Sequence, residues 1–194
     1  MVRWRVRSLP LLFLLIMAGC ASVEKRVDLT YQRHVDATGG SGEIFVAQPT
    51  IKRNPEALPA GREVLGKAGD ADIVIAQSPA DWLLSAIKEE LSAAGYEVKT
   101  VAVLPPDVPK GVKPSIVALS AHQSSSIVKV TTITEVKLEA ELWKNGKLLK
   151  TLTASAQDHE EGADRSSEPI RQALEKALQG AMEELVPEIV KALQ

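Results

Sequence analysis

The sequence predicts an α+β fold, an α/β sandwich in which a mixed, mostly antiparallel sheet carries two main helices on one face. Three observations predict it. Two segments, 78–95 and 167–193, repeat apolar residues at helical spacing. Residues 127–143 alternate apolar and polar side chains, the pattern of a long strand with one buried and one wet face. Short runs of β-forming residues bounded by Gly and Pro fill much of the remainder. At 194 residues, 45% hydrophobic and 25% charged, the composition is globular and the length suits one domain.

In chain order, residues 27–33 and 43–48 are strand candidates that pair across the Gly39-Gly40-Ser41-Gly42 turn. Residues 49–70 carry Pro49, Pro55, Pro59 and several glycines, so they are expected to be loop with at most a short strand at 62–65. A compact Ile73-Val74-Ile75 run marks the next strand. Ser78-Pro79-Ala80-Asp81 opens the first helix with an N-cap residue, a proline at its first position and a carboxylate in its first turn. Leu83, Leu84, Ile87, Leu91 and Ala94 form its apolar stripe, and Gly95 ends it. Residues 96–104 then read as a strand, parallel to or near the strand before the helix. Pro105, Pro106, Pro109 and Pro114 mark a connection to a further short strand at 115–119.

In the long strand the even positions from Val128 to Leu142 form the buried face. Two registers compete at the following Lys144-Asn145-Gly146 turn. A two-residue loop would pair Glu139 with Leu152 and split the leucines between faces. A three-residue loop with Gly146 in a bulge pairs Leu142 with Leu148, Leu138 with Leu152 and Val136 with Ala154, and is preferred because it keeps the apolar set together. Lys150 is its one misfit. The closing helix carries Ile170, Leu174, Ala177, Leu178, Ala181, Leu185, Ile189 and Leu193 on one stripe, with Pro187 expected to kink or interrupt its last turns.

The first 19 residues read as an address. Arg3, Arg5 and Arg7 form a cationic start, and an apolar run of about ten residues follows, half of the roughly 20 a membrane-spanning helix needs. Cleavage after Gly19 is expected. Met17-Ala18-Gly19-Cys20 resembles the bacterial lipobox, with Met17 in place of the usual Leu, and this resemblance implies a thioether-linked diacylglycerol on Cys20. Cys20 is the chain's one cysteine, so no internal disulfide is available. Acyl chains on Cys20, each buried methylene adding ~0.8 kcal/mol, would anchor the chain to the membrane. Ala21 and Ser22 lack the aspartate associated with inner-membrane retention, so the periplasmic face of the outer membrane is favoured over the inner membrane. The expected organisation is a signal peptide at 1–19, a lipidated tether at 20–26 and a single periplasmic domain at 27–194.

The net charge is −2, and losing the leader removes three arginines and no acid, so the mature body is more acidic still. With 4% aromatic residues it has little with which to stack bases, and no nucleic-acid partner is expected. The run 61–68 fits a phosphate loop except that Ala68 lacks the hydroxyl, and no strand and helix flank it. His34, His122 and His159 are scattered, and the acids of 158–164 lack the alternation of a calcium loop, so no metal or cofactor is expected. Ser124, Ser125 and Ser126 lie in no nucleophile elbow, so no catalytic residue is assigned. Trp143, reading as exposed on a charged face, is a candidate partner contact, with packing against a neighbouring strand or loop as the simpler reading.

The lipobox, the capped first helix with its Ala94-Gly95-Tyr96-Glu97-Val98 exit, the hairpin around Asn145-Gly146-Lys147 and the closing helix together resemble the YajG-like bacterial outer-membrane lipoproteins. The resemblance implies a lipid-anchored envelope protein of uncharacterised molecular role, and transfers one residue, Cys20. A non-catalytic binding or scaffolding role is the expectation. The alternatives are an accessory subunit of an envelope export or lipid-transport complex, with an envelope protein as partner, and, less favoured, a periplasmic hydrolase.

Overall fold

The computed structural model describes residues 24–52 and 63–194. It is an α+β fold: one large, open, mostly antiparallel mixed sheet with two helices. The strands are β1 (Glu24–Val27), β2 (Glu43–Ala47), β3 (Thr50–Ile51), β4 (Glu63–Ala68), β5 (Ala71–Ile75), β6 (Glu97–Val101), β7 (Lys110–Ser125), β8 (Val130–Lys144) and β9 (Lys147–Gly162). The helices are α1 (Pro79–Ala93) and α2 (Glu168–Leu193).

β7 is the spine. β8 runs antiparallel along one side of it, and β9 antiparallel along β8. On its other side three short strands follow one another, β2, β3 and β4, all parallel to β7. β6 extends the sheet beyond β2, while β5 and then β1 extend it beyond β4. β7 is much longer than the predicted 115–119 and runs through Pro114. The proline is tolerated because residues 113 and 114 fall in the gap between β2 and β3, where that side of β7 has no ladder partner.

Residues 27–33 do not pair with 43–48. β1 pairs in parallel with β5, and β2 lies between β6 and β7. Beyond Val27 the chain keeps the predicted alternation, with Leu29 buried and Tyr31 half-buried, but it forms no ladder. Its carbonyls are taken by helix and connector side chains instead: Gln77 donates to Leu29 O, Trp82 Nε1 to Thr30 O at 2.8 Å and Gln179 to Gln32 O at 3.0 Å. A segment can read as a strand and satisfy its backbone without a neighbour in the sheet. β1 also takes up Glu24, Lys25 and Arg26, residues the sequence reading placed in the tether.

The crossover expectation is overturned as well. β5 and β6 stand at separate places in the sheet and run in opposite senses, because β4 turns antiparallel to β5 while β4, β7, β2 and β6 all run parallel. The helix between them follows its predicted bounds closely. Ser78 accepts from Asp81 N, and Gly95 follows in the left-handed conformation (φ 109°), with Tyr96 N bonded to Leu91 O at 3.1 Å and Gly95 N to Ser92 O at 3.1 Å. Since the cap bond is long, 3.4 Å, Ser78→Ala is expected to cost only about 1 kcal/mol in a urea titration.

The β8–β9 turn is of the two-residue type, with Asn145 (φ 53°) and Gly146 (φ 72°) both left-handed. The extra residue is Leu149 on β9, between the pairs Trp143 to Leu148 and Leu142 to Lys150. Leu138 therefore faces Ala154 and Ala140 faces Leu152, which corrects the predicted register by two residues. A shift of two is a full strand period, so the faces survive: Val130, Thr132, Thr134, Val136, Leu138, Ala140 and Leu142 are all buried. Val128 is the exception, 85% exposed in the β7–β8 turn. Lys150 points from the inner face to α2, where Nζ meets Glu188 Oε2 at 3.0 Å.

α2 covers β8 and β9, and each apolar stripe residue named from its sequence is buried. Ala173, Met182, Val186 and Val190 are buried too, because α2 is covered beyond the sheet side. The helix continues through Pro187 to Leu193 rather than ending there.

Candidate functional site

Gly19 and Cys20, the cleavage and lipidation positions, lie outside the described residues, as does the 53–62 part of the predicted loop. Of the phosphate-loop run, residues 63–68 form β4, and Lys67 is paired with Asp72 at 2.6 Å. The histidines are not brought together by side-chain contact: His34 pairs with Glu183 at 2.8 Å, and His159 with Glu161 at 3.0 Å. Among the described residues no group of three or more potential ligands is arranged to hold a metal ion.

Trp143 is half-buried rather than exposed, and its indole Nε1 is buried without a hydrogen-bond partner. It pairs across the sheet with Gly111, whose α-carbon faces Leu104 and Val108 of the preceding loop. Beyond it on β9, Leu148 and Leu149 are 51% and 50% exposed.

Two buried carboxylates were not singled out by the sequence reading. Glu90 on α1 is 1% exposed and accepts from Tyr31 Oη at 2.5 Å, His34 N at 2.8 Å and Val35 N at 3.3 Å. Burial, and then the bond to Glu90, push the Tyr31 phenol well above its ordinary range. Glu175 on α2 accepts from Thr30 Oγ1 at 3.0 Å and Arg171 at 2.9 Å. Both helices thus grip the segment after β1. The available signal was position: Glu90 stands at i+3 from Ile87 and beside Leu91, and Glu175 beside Leu174, within apolar stripes.

The third cluster lies where the chain enters the domain. Lys25 on β1 donates to Gln123 Oε1 at 2.5 Å and to Arg165 O, and Gln123 donates to Thr132 Oγ1 at 3.1 Å, all under the first turn of α2. Burial lowers the Lys25 pKa, with Asp164 opposing. Arg165 in turn donates to Ser126 O at 2.9 Å in the β7–β8 turn. Beside this network a cavity of about 220 Å³ opens between Thr132, Glu160, Glu161, Asp164, Glu168 and Gln172. Its acids are already engaged: Glu160 by Lys176, Glu161 by Lys129, Asp164 by Ser166 and Glu168 by Arg171.

Arg171, followed by Gln172, holds Glu168 at about 2, and Lys129 and His159 lower Glu161. Both carboxylates have folded pKa values below the unfolded 4.5, so the stability they lend is present above that pH. It is expected to be lost as pH falls from about 4.5 towards 2, and Glu168→Gln should shrink that loss in acid titrations followed by circular dichroism. The exposure of both groups keeps the effect small.

No family model matches the sequence, and no curated protein matches it. Solved structures do share its shape. Protein XCC0632 from Xanthomonas campestris, of family DUF330, superposes with a TM-score of 0.60 at 14% identity, covering 87% of this chain and 95% of that one. At that identity the likeness concerns the fold alone. Lipoprotein GNA1162 from Neisseria meningitidis matches with a TM-score of 0.37 at 18% identity, over 71% of this chain and 94% of that one, too low to carry an argument. The described part contains no helix long and apolar enough to cross a membrane.

Proposed function

We propose that the chain is a lipid-anchored lipoprotein of a bacterial cell envelope, YajG-like in kind, with a non-catalytic binding or scaffolding role. The carrying observation is the placement of its one cysteine at the end of an arginine-led apolar leader, within Met17-Ala18-Gly19-Cys20. The start of β1 at Glu24, four residues beyond Cys20, supports it, since the proposed anchor is then close in sequence to the first strand. The periplasmic face of the outer membrane is the proposed location. Metabolic labelling with a clickable fatty acid tests the anchor: wild type is expected to label and Cys20→Ser to lose the label and leave the membrane fraction. Equal labelling of the two rejects it.

A second reading, an accessory subunit of an envelope export or lipid-transport complex, is favoured by the other end of the sheet. There β9 pairs with β8 alone among the described strands, and Leu148 and Leu149 stand half-exposed beside Trp143. An unpaired edge with apolar neighbours can take a partner strand. A photo-crosslinking residue at Leu149 is expected to capture an envelope protein in intact cells if this reading holds, and nothing if the chain works alone.

A further inference from the structure

We propose that the β7–β8 turn, through Ile127 and Val128, is a second membrane contact that holds the domain upright on the bilayer to which Cys20 is tied. The inference rests on the lipid-anchor reading. Ile127 and Val128 are 96% and 85% exposed, the two most exposed large apolar side chains among the described residues. Adjacent β-branched residues at a turn apex make no contribution to the core.

The topology decides what meets them. Glu24 shares a row of the sheet with Asp72, Lys67 and His122. β1 runs parallel to β5 and opposite to β7, so the N-terminal end of β1 points towards the β7–β8 turn, not towards the β8–β9 turn. From the His122 row, β7 advances three more residues to Ser125 before the turn, so the apex stands roughly 13 to 15 Å beyond that row. Glu24 stands four positions beyond Cys20, a span of at most ~14 Å when extended. A tether of that length lets the acylated sulfur reach the level of the apolar apex, so a bilayer holding the first can meet the second.

The turn is also built to enter an interface. Ser126 N donates to Lys129 O at 2.7 Å, and Ser126 Oγ accepts from Lys129 N at 3.1 Å. Arg165 donates to Ser126 O at 2.9 Å and to Ile127 O at 3.5 Å. The Ser126 and Ile127 carbonyls and the Ser126 and Lys129 amides, which would lose water on contact with lipid, are thus already bonded, which removes part of the cost of dipping the apex. Lys129 is paired with Glu161 at 2.5 Å, and acids line the neighbouring cavity, so the local charge offers no strong attraction to anionic lipid. The contact is apolar, and zwitterionic bilayers should support it.

The test uses the acylated full chain. With Cys20 blocked by its lipid, Val128→Cys and, as a reference at the far end of the hairpin, Lys147→Cys each supply one thiol for a nitroxide label. The proteins are reconstituted into phosphatidylethanolamine–phosphatidylglycerol and into phosphatidylcholine vesicles. Circular dichroism checks folding, and accessibility to lipid-phase oxygen and to an aqueous nickel chelate is compared. The ratio of oxygen to nickel accessibility is expected to be about tenfold or more higher at position 128 than at 147 in both vesicles, as for groups at the acyl boundary. Equal, water-like ratios at both positions would overturn the proposal while leaving the anchor intact. Shielding of position 128 from both quenchers would overturn it in favour of contact with a second copy. Failure of the anchor itself is seen separately, as an unacylated Cys20 by mass spectrometry.

Discussion

Replacing Glu90 with alanine is expected to lower the stability of the domain by about 3–5 kcal/mol, because one side chain is the acceptor for three groups in a dry place. The Tyr31 hydroxyl, His34 N and Val35 N all donate to it, and Val35 is itself buried. Alanine returns none of these partners, and each stranded buried donor costs about 1–3 kcal/mol. For a body of this size the melting temperature should drop by roughly 10 °C. Glutamine keeps the shape and one carbonyl but turns an NH₂ towards groups that are all donors, so Glu90→Gln should lie between wild type and Glu90→Ala. Urea midpoints of the three proteins provide the comparison. A loss under about 1 kcal/mol for alanine would mean that water replaces the carboxylate and that the site is wetter than its burial implies.

The same site has an alkaline signature. The Tyr31 pKa is raised above its unfolded value of 10.0, so its contribution is fully present below pH 10 and is lost as pH rises beyond it. In Glu90→Ala that alkaline loss should be weaker, since one of its causes is gone.

The second large effect is expected at Gly66. A β-carbon built there would lie 1.8 Å from the carbonyl oxygen of Ala121, a backbone atom of the neighbouring β7. No rotamer relieves that overlap, and β4 would have to separate from β7 or shift its bulge between Val64 and Gly66. Gly66→Ala should therefore cost about 3 kcal/mol. Because β4 joins β5 and β1 to the rest of the sheet, amide protection in those strands should fall furthest. Gly69→Ala is the comparison: Gly69 also has a special backbone (φ 62°), but nothing stands within 4 Å of the added methyl. It should cost only about 1 kcal/mol. If the two variants unfold at the same denaturant concentration, the close approach of β4 to β7 is not the reason for glycine at position 66.

What could be read without coordinates was whatever is encoded locally. Ser78, Pro79, Asp81 and Gly95 bound α1 because caps involve residues a few places apart in sequence. The alternation along β8 and the stripe of α2 identify their buried faces for the same reason. The β8–β9 register is not legible from the turn residues because turn type and bulge position are separable: Asn145-Gly146 forms the tight turn, and Leu149 absorbs the extra residue one pair further on. Along 27–33 the alternation reports which side chains are inside, not what bonds the backbone, and here Trp82 and Gln179 do so from the helices and Gln77 from the connector before α1. The same limit hid the buried carboxylates. A glutamate in an apolar stripe is an anomaly in sequence, and only its partners tell whether it is satisfied.

By itself the chain's order of residues settled the two helices, the buried face of the long hairpin and the α+β class, each a consequence of periodicity within a few turns or strand steps. Only the folded arrangement decided that β2, β3 and β4 share one side of β7, that β1 joins β5, and hence that the N-terminal end of the domain and the Ile127–Val128 apex point the same way. Strand neighbours far apart in sequence are selected by how whole surfaces fit and by where every backbone donor finds an acceptor, and no short window of residues carries that information.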